Sequence, residues 1–189
     1  MKCLPVDQMK QSNTMQQLVI VILGTLQSSS INDLIKIIAS HSCHMIDCRI
    51  SVLGQECAAN LLISGNWSAI AKLEAHIPAL EKKLGLNIQH RRTQQSSVDI
   101  LSLPYSIYIT ALDSPDITHK ITQFLSDENI PINHLTVSAY AAPYTQAPML
   151  TISISINIPI TAHIADVRER FLLFCDDLNL DVIIEPQKN

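Results

Sequence analysis

Two turns between a strand and a helix carry the residue types that could hold a small charged ligand. Residues 24–30 read GTLQSSS, and residues 113–116 read DSPD. Backbone amides at a helix N-terminus, together with the positive end of the helix dipole, favour a carboxylate. Nearby polar side chains can recognise an ammonium group. Turns of this kind are therefore candidates for binding an amino acid or another small anion.

Each turn also has a purely structural interpretation, which is the favoured one. Ser30 precedes Asp33 by three residues, as in a capping box with Asp in place of Glu. In the second turn, Ser114 or Asp113 could be the N-cap, with Pro115 at the first helical position. The sequence thus predicts helix caps at both turns and keeps ligand contact as the alternative.

Three polar residues on predicted strands complete the set of candidates. Asp47 and Arg49 are two positions apart on one strand and so face the same side of the sheet. A structural ion pair or an interface contact is favoured over a ligand role for them. Asn133 lies on the corresponding strand of the second half, where contact with a ligand and the capping of a loop are equally plausible.

Neither a metal centre nor a catalytic site is indicated. The five cysteines include no Cys-x-x-Cys pair, and most are expected to be buried thiols. His41 and His44 lie near Cys43 and Cys48, but a helix end and a strand would not aim four ligands at one point. The sequence has only 4 glycines and lacks the common nucleotide-binding and hydrolase motifs. We therefore expect no enzyme activity and no cofactor.

The elements that would position these residues occur twice, in the order βαββαβ. In the first half, strands are predicted at Leu18–Leu23, Met45–Leu53, Glu56–Ser64 and Leu86–Arg91, with helix faces at Ile31, Leu34, Ile35, Ile38 and at Trp67, Ile70, Leu73, Ile77. In the second half, strands are predicted around Tyr105–Ile109, Ile132–Tyr140, Thr151–Ile158 and Leu180–Ile184, with helix faces at Ile117, Ile121, Phe124, Leu125 and at Ile164, Val167, Phe171, Leu172, Cys175, Leu178.

A constant offset of 87 residues relates the two halves. Apolar positions fall on apolar positions without a gap, as the following pairs show: Leu18 and Tyr105, Ile20 and Ile107, Ile22 and Ile109, Ile37 and Phe124, Ile38 and Leu125, Ile50 and Val137. The predicted fold class is α+β, with two ferredoxin-like βαββαβ modules whose antiparallel sheets carry helices on one face. The predicted domains are a tail at 1–16, modules at 17–93 and 104–186, and a linker at 94–103.

Several single residues predict local features of the first module. Gly54-Gln55 is expected to form a hairpin turn, and Gly85 to end the second helix. Pro78 should kink or restart that helix, because proline lacks the amide donor of an interior turn. Trp67, at the start of the same helix, is expected in the core, with an exposed anchor for a partner as the alternative.

Charge and hydropathy limit where the chain could act. Residues 1–93 carry a net charge of +3 and residues 94–189 one of −7, so neither half is strongly basic. Without a helix-turn-helix pattern either, direct binding to nucleic acid has little support. No apolar run approaches the roughly 20 residues that span a bilayer, and the polar N-terminus lacks the core of a signal peptide. We therefore expect a cytoplasmic protein.

Two segments carry a resemblance to a known family. Residues 43–56, CHMIDCRISVLGQE, followed by residues 61–70, LLISGNWSAI, resemble glycine cleavage system transcriptional repressors, which consist of tandem ACT domains. The Leu-Gly-x-Glu hairpin and the Ser-Gly-x-Trp-x-Ala-Ile helix entry are the more specific parts of this likeness. It extends over roughly residues 17–185, and Asp113-Ser114-Pro115 in the second module agrees with the family's Asp-x-Pro turn.

The resemblance implies a non-enzymatic regulator that senses an amino acid, glycine above all, and contacts a LysR-type transcription activator, with homo-oligomers as a further expectation. It implies effector contacts at both turns and on the strand after the first helix, namely at Gly24, Ser28, Ser29, Asp47, Asp113, Ser114, Asp116 and Asn133. In the family's first turn the pattern is Asp-x-Pro-Gly, which here reads LQSS at 26–29. An interaction module that has lost effector binding is therefore the alternative function.

Overall fold

The structure, a computed structural model, describes residues 15–25, 28–94 and 101–187. The chain divides into two compact units, residues 1–97 and 98–189, which we call unit 1 and unit 2 and describe separately. Most of the predicted tail and most of the predicted linker lie outside the described residues. The bounds given above for the tail, the modules and the linker therefore stay predictions.

Unit 1 has the predicted βαββαβ order. Its elements are β1 (Gln16–Gly24), α1 (Ser28–Ser40), β2 (His44–Leu53), β3 (Glu56–Gly65), α2 (Trp67–Leu84) and β4 (Asn87–Thr93). The four strands form one antiparallel sheet in the order β2-β3-β1-β4. The sheet edges are therefore β2 on one side and β4 on the other.

Unit 2 repeats this arrangement. Its elements are β5 (Ser102–Leu112), α3 (Ile117–Asp127), β6 (Ile132–Ala141), β7 (Pro148–Pro159), α4 (Ile164–Asp177) and β8 (Asp181–Pro186). The sheet order is β6-β7-β5-β8, which corresponds strand for strand to unit 1. Two ferredoxin-like modules, each an antiparallel sheet with two helices, are thus confirmed.

The core of unit 1 lies between one face of the sheet and the two helices. Alternate residues of β1, namely Leu18, Ile20 and Ile22, are buried, whereas Val21 and Leu23 are exposed. Strand β1 is therefore buried on one face only, because the helices cover a single face of the sheet. From the helices, Leu34, Ile38, Ile70, Leu73, Ile77 and Leu80 close the core.

The core of unit 2 follows from the strict alternation along β7. Its residues Leu150, Ile152, Ile154, Ile156 and Ile158 are buried, and the Thr, Ser and Asn residues between them face the other side. Phe171 of α4 is the largest buried side chain and packs on Phe124 of α3, with ring centroids 5.2 Å apart. The period-two pattern thus predicts both the strand and its buried face.

The offset of 87 residues holds from β1 to β5, but it is 93 from β3 to β7, because the connection before β7 is six residues longer. Ile20 pairs with Leu61 in unit 1, and Ile107 pairs with Ile154 in unit 2. Both strands after the first helix contain an irregularity near their beginning, where the pairing skips Ile46 in β2 and Asn133 in β6. Since these residues are themselves 87 apart, the repeat preserves this bulge.

Two of the three predictions for turns and helix ends in unit 1 are confirmed. Gly54 makes the turn between β2 and β3 with φ 68°, and Gly85 ends α2 with φ 65° and donates its N–H to the Glu81 carbonyl at 2.9 Å. Of the kink or restart expected at Pro78, the restart is wrong, because α2 continues through Pro78 as one helix, and the kink stays a prediction. Burial of Ile77 and Leu80 on the neighbouring turns stabilises the helix there.

The edge strands differ in character. In β2 and β6 nearly every residue is exposed, including apolar ones at the edge: Ile50, Val52, Leu53, Leu135, Val137 and Tyr140. The opposite edges, β4 and β8, carry charged side chains instead. Within the described residues, no helix is long and apolar enough to cross a membrane.

Candidate functional site

The first candidate turn follows β1 and leads into α1. Gly24 has φ 152°, and a Cβ there would lie 2.9 Å from Cδ2 of Leu86, so the backbone conformation and the close neighbour both favour glycine. The helix begins at Ser28, which makes Ser30 its third residue, so the predicted N-cap at Ser30 is wrong. Residues 26–27 and the side chains of residues 28–30 lie outside what the structure describes, and the role of Ser28 and Ser29 stays a prediction.

The second candidate turn joins β5 to α3. The helix begins at Ile117 with Asp116 as its N-cap, so the predicted cap at Ser114 or Asp113, with Pro115 as first helical residue, is wrong. The Ser114 carbonyl accepts the N–H of Ile117 at 3.2 Å, and the N–H of Asp113 donates to the Pro148 carbonyl at 2.9 Å. Pro115 and Asp116 thus form a turn before the helix instead of its first turn.

This turn leaves two carboxylates available. Asp113 and Asp116 are exposed, and Asp116 makes no side-chain bond to the helix it precedes. The described residues provide no hydrogen bond or ion pair to either carboxylate. Two unpaired acids beside a helix N-terminus without a side-chain cap can bind an ammonium group, next to backbone N–H groups that can donate to a carboxylate.

The polar pair on β2 is an ion pair. Nη2 of Arg49 lies 3.0 Å from Oδ2 of Asp47, and both side chains are about half exposed, at 51% and 48%. Asp47 pairs with Leu62 of β3, which faces away from the helices. The favoured interpretation of these two residues as an ion pair is confirmed, and at this exposure the pair contributes little stability.

The structure does not bring the strand residues and the turn residues of a unit together. Asn133 lies at the bulge beside Ile156, whereas the turn at Asp113 adjoins Pro148, at the other end of β7. Eight positions along the strand separate Ile156 from Pro148, or about 27 Å at ~3.4 Å per residue. In unit 1, likewise, Asp47 is opposite Leu62 while Gly24 is opposite Cys57. Within one unit, the turn and the strand residues cannot contact the same amino acid.

A cluster around Trp67 was not predicted from the sequence. This side chain is 64% exposed, so its expected place in the core is wrong. The reason is positional: Asn66 caps α2 by accepting the N–H of Ala69 at 2.8 Å, and Trp67, the first helical residue, projects from the end of the packed face. The guanidinium of Arg92 lies 5.7 Å from the ring centroid, within the range of a cation–π contact.

Glu74 fixes the position of that guanidinium. Nε and Nη2 of Arg92 donate to its two carboxylate oxygens at 2.9 and 2.6 Å. These hydrogen bonds and the charge of Arg92 hold the pKa of Glu74 below its ordinary value. The Trp67 interaction depends on tertiary contacts between α2 and β4, which the spacing of apolar residues does not reveal.

Among residues 15–25, 28–94 and 101–187, no group of three or more His, Cys, Asp or Glu side chains could hold a metal ion. Burial raises the pKa of the Cys175 thiol to about 12, so this thiol stays protonated and behaves as an apolar core residue. Cys43 and Cys57 are also buried, whereas Cys48 on β2 is exposed.

Three grooves of the described surface lie away from the predicted site residues. An open groove of ≈ 830 Å³ runs along β1 and β4 and is lined by Val19, Val21, Gln89 and Arg91 among others. Two smaller ones lie on the helices of unit 2, beside Leu173 and beside Phe174. None of the three is lined by the eight predicted effector-binding residues.

Comparison with known proteins agrees with this architecture. The family model of the ACT domain matches residues 16–91, which is almost all of the described part of unit 1. The glycine cleavage system transcriptional repressor of Escherichia coli (strain K12) is 27% identical over 162 residues, which cover 86% of this chain and 85% of that protein. The protein of the same description from Shigella flexneri matches equally.

Solved structures extend the likeness to both units. A crystal structure assigned provisionally as a glycine cleavage system transcriptional repressor is 26% identical with a TM-score of 0.70, covering 93% of this chain and 99% of its own. An uncharacterised protein from Galdieria sulphuraria shares the fold, with a TM-score of 0.73 at 20% identity, over 93% of this chain and 100% of its own. Residues 16–91 therefore form an ACT domain, and the chain resembles the glycine cleavage system transcriptional repressors over most of its length.

Proposed function

We propose that this chain is a non-enzymatic regulator of transcription that binds an amino acid, glycine first among the candidates, and thereby changes its contact with an activator protein of the LysR type. The observation that carries the proposal is the similarity to glycine cleavage system transcriptional repressors across 86% of this chain and 85% of theirs. Because that similarity spans both units, it supports a likeness to the whole repressor and not only to a single ACT domain. Such a regulator would act in the cytoplasm, without direct contact with nucleic acid.

The turn at residues 113–116 is the better effector site of the two. A free amino acid presents an ammonium group and a carboxylate a few ångströms apart. The exposed carboxylates of Asp113 and Asp116 suit the ammonium group, and the N-terminal amides of α3 suit the carboxylate. Ser114, which is half-buried between them, can donate its hydroxyl. Glycine, with no side chain, needs no further pocket.

The first turn is a weaker candidate. Where the family has an acid and a glycine, this sequence has Leu26 and Ser29. An ammonium group would meet no negative charge there, and Ser29 cannot allow the same close backbone approach as glycine. This change supports the alternative function, an interaction module that no longer binds an effector.

The apolar edges of β2 and β6 are the surfaces that we assign to protein contact. Val52 is 74% exposed and Leu53 66%, on a strand whose outer edge is unpaired within unit 1. Exposed strands with apolar side chains readily pair with a strand of another protein. An activator that added a strand there would bury these side chains, and a second copy of the chain could use the same edges.

Isothermal titration calorimetry with glycine tests the effector site. We expect the parent chain to bind glycine and the Asp113→Asn variant to bind at least tenfold more weakly, because the substitution removes the charge that holds the ammonium group. Asp166→Asn is the matched control, since Asp166 is also an exposed acid near a helix N-terminus, in the first turn of α4. This control should bind glycine like the parent.

The titration also separates the two functions. Alanine, serine and γ-aminobutyrate are measured beside glycine, so that a preference for α-amino acids becomes visible. Absence of heat for every amino acid at millimolar concentration, together with an unchanged thermal transition, would exclude the sensor and leave the interaction module. Equal losses in Asp113→Asn and Asp166→Asn would refute the assignment of the turn.

A further inference from the structure

A groove between the two helices of unit 2 combines an aromatic floor with groups of opposite charge. It has a volume of ≈ 330 Å³ and is lined by six residues: His119, Lys120, Gln123, Phe124 and Asp127 of α3, and Phe174 of α4. Sites for small molecules combine an apolar lining with a few polar groups that fix the orientation of the ligand. The groove has this composition, and its volume suits a ligand as small as one amino acid.

The floor of the groove is a stacked pair of phenylalanine rings. Phe124 and Phe174 have ring centroids 4.9 Å apart and an angle of 30° between their planes. Both rings are partly buried against the core of unit 2, where the buried ring of Phe171 packs on Phe124 at 5.2 Å. Since the core holds the two rings in place, they present a fixed apolar surface to the groove.

Opposite charges flank this floor along one side of α3. Lys120, Phe124 and Asp127 follow one another at intervals of four and three residues, so they lie in one row on the helix surface. Seven residues separate Lys120 from Asp127, or about 10 Å along the helix axis at ~1.5 Å per residue. The two groups form no ion pair with each other, and this span leaves room for a zwitterion between them.

Both charged groups keep the capacity to bind a ligand. Among the described residues, Lys120 makes no ion pair, and His119 beside it adds a second possible donor. Oδ1 of Asp127 accepts a hydrogen bond from Nε2 of Gln123 at 2.8 Å, which orients the carboxylate. The second oxygen of Asp127 has no partner among the described residues. The groove thus offers a donor at one end and an acceptor at the other.

Packing and helix stability explain the rings better than they explain the charges. Phenylalanine side chains at the border of a core often stay partly exposed. Charges that stabilise a helix, however, are usually three or four residues apart, so that the two side chains can meet. Here the ring of Phe124 lies between the cation and the anion, and this order matches the carboxylate, side chain and ammonium group of one ligand.

We propose that this groove binds an α-amino acid with an aromatic side chain. The ligand's carboxylate accepts hydrogen bonds from Lys120, its ammonium group donates to Asp127, and its ring lies on Phe124 and Phe174. None of the residues 113–116 lines the groove, so this site goes beyond the proposed response to glycine. It does not require that the turn binds an effector.

An NMR titration of the ¹⁵N-labelled chain with phenylalanine tests the site. We expect shifts of the backbone amides of α3 and α4 and a dissociation constant of about 1 mM, as for a small ligand in an open groove. Phenethylamine lacks the carboxylate and 3-phenylpropanoate lacks the ammonium group. Each should bind at least tenfold more weakly than phenylalanine, because one charged end of the groove is then left without its partner.

Two substitutions assign the ends of the ligand to the two charged residues. Lys120→Gln should bind phenylalanine and phenethylamine alike, and Asp127→Asn should bind phenylalanine and 3-phenylpropanoate alike, because each removes the charge that recognises one end. Arg168→Gln and Asp176→Asn are the matched controls, since these exposed charges line the other groove of α4. Both controls should keep the preferences of the parent, and circular dichroism checks that every variant is folded.

The Asp113→Asn variant separates this site from the glycine site. It should bind phenylalanine like the parent, whatever its response to glycine. A loss of phenylalanine binding in this variant, or shifts confined to residues 113–116, would place the ligand at the turn and overturn the proposal. Absence of shifts at about 10 mM phenylalanine would also overturn it. So would charge variants of Lys120 and Asp127 that keep the parent's preferences.

Discussion

Two ion pairs fix side chains between elements, one in each unit. Arg92 of β4 binds Glu74 of α2, and Arg170 of α4 binds Glu128 at the end of α3, with its Nε 2.9 Å from Oε1. In both carboxyls the hydrogen bonds from arginine are the main cause that lowers the pKa. Both acids are only partly exposed, at 21% and 24%, which makes their geometry firmer than that of the Asp47 pair.

These pairs predict a loss of stability in acid. A carboxyl whose pKa is lower in the folded state stabilises the fold above its ordinary pKa, and this contribution disappears as the pH falls from about 4.5 through the lowered value. We therefore expect Glu128→Gln to make unfolding less dependent on pH below about 4.5. Urea unfolding from pH 7 to pH 3 measures this, with Glu169→Gln, an exposed acid on α4, as the control.

An unchanged pH dependence would contradict this prediction. If the stability of Glu128→Gln fell with pH as steeply as that of the parent, the bond from Arg170 would not lower the pKa of Glu128 in solution.

Helices and strands were predictable where hydrophobic periodicity alone determines them. The alternation along β7 predicts a strand with one buried face, because each strand packs one face against helices. The offset of 87 residues predicts that the second half repeats the elements of the first. Helix beginnings were less predictable. At α3 the chain takes an extra turn through Pro115 and Asp116, and at α2 the first residue, Trp67, projects beyond the core. Both outcomes depend on where a helix meets its sheet, and local residue types do not encode that position.

The candidate site was likewise predictable only in part. Its turn residues were recognisable from their types, since acids and hydroxyls before a helix have few roles. Asn133 lies at the other end of β7 from this turn. That separation follows only from the strand register, which depends on residues far apart in the sequence. Likewise, the exposed apolar edges of β2 and β6 could not be inferred, because residues such as Val52 and Val137 look like ordinary strand residues.

The helix layer of unit 2 provides a stability prediction. Phe171 is almost fully buried against Phe124, so Phe171→Ala should lower the free energy of unfolding by about 3–5 kcal/mol through lost contacts and a cavity. Leu173→Ala, on the exposed side of the same helix, is the control and should cost under about 0.5 kcal/mol. Urea denaturation followed by circular dichroism compares the two. Similar small losses in both would show that the packing around Phe171 is looser than described.

As a whole, the molecule consists of two units of one fold with different surfaces. Unit 1 has basic residues at the β4 edge, and unit 2 has acidic residues at the corresponding β8 edge. Both present an apolar strand, β2 or β6, at the other edge. Only the second unit keeps acids in the turn before its first helix. A duplicated module has thus separated into surfaces that we assign to effector binding and to protein contact.

The central claim is that an effector changes how tightly this protein holds an activator. Linkage requires that glycine alter the affinity for the activator by the same factor by which the activator alters the affinity for glycine. The substitutions Val52→Asp and Val137→Asp, on the two apolar edges, should each weaken activator binding and leave the glycine titration unchanged. Val21→Asp, an exposed valine on β1, is their control.

The most direct test is the dissociation constant of this protein for the LysR-type activator of the glycine cleavage operon from the same cell, measured by surface plasmon resonance with and without saturating glycine. The account predicts a change of about fivefold or more, the usual size of allosteric coupling. An activator affinity that is the same in the presence and absence of bound glycine would contradict it.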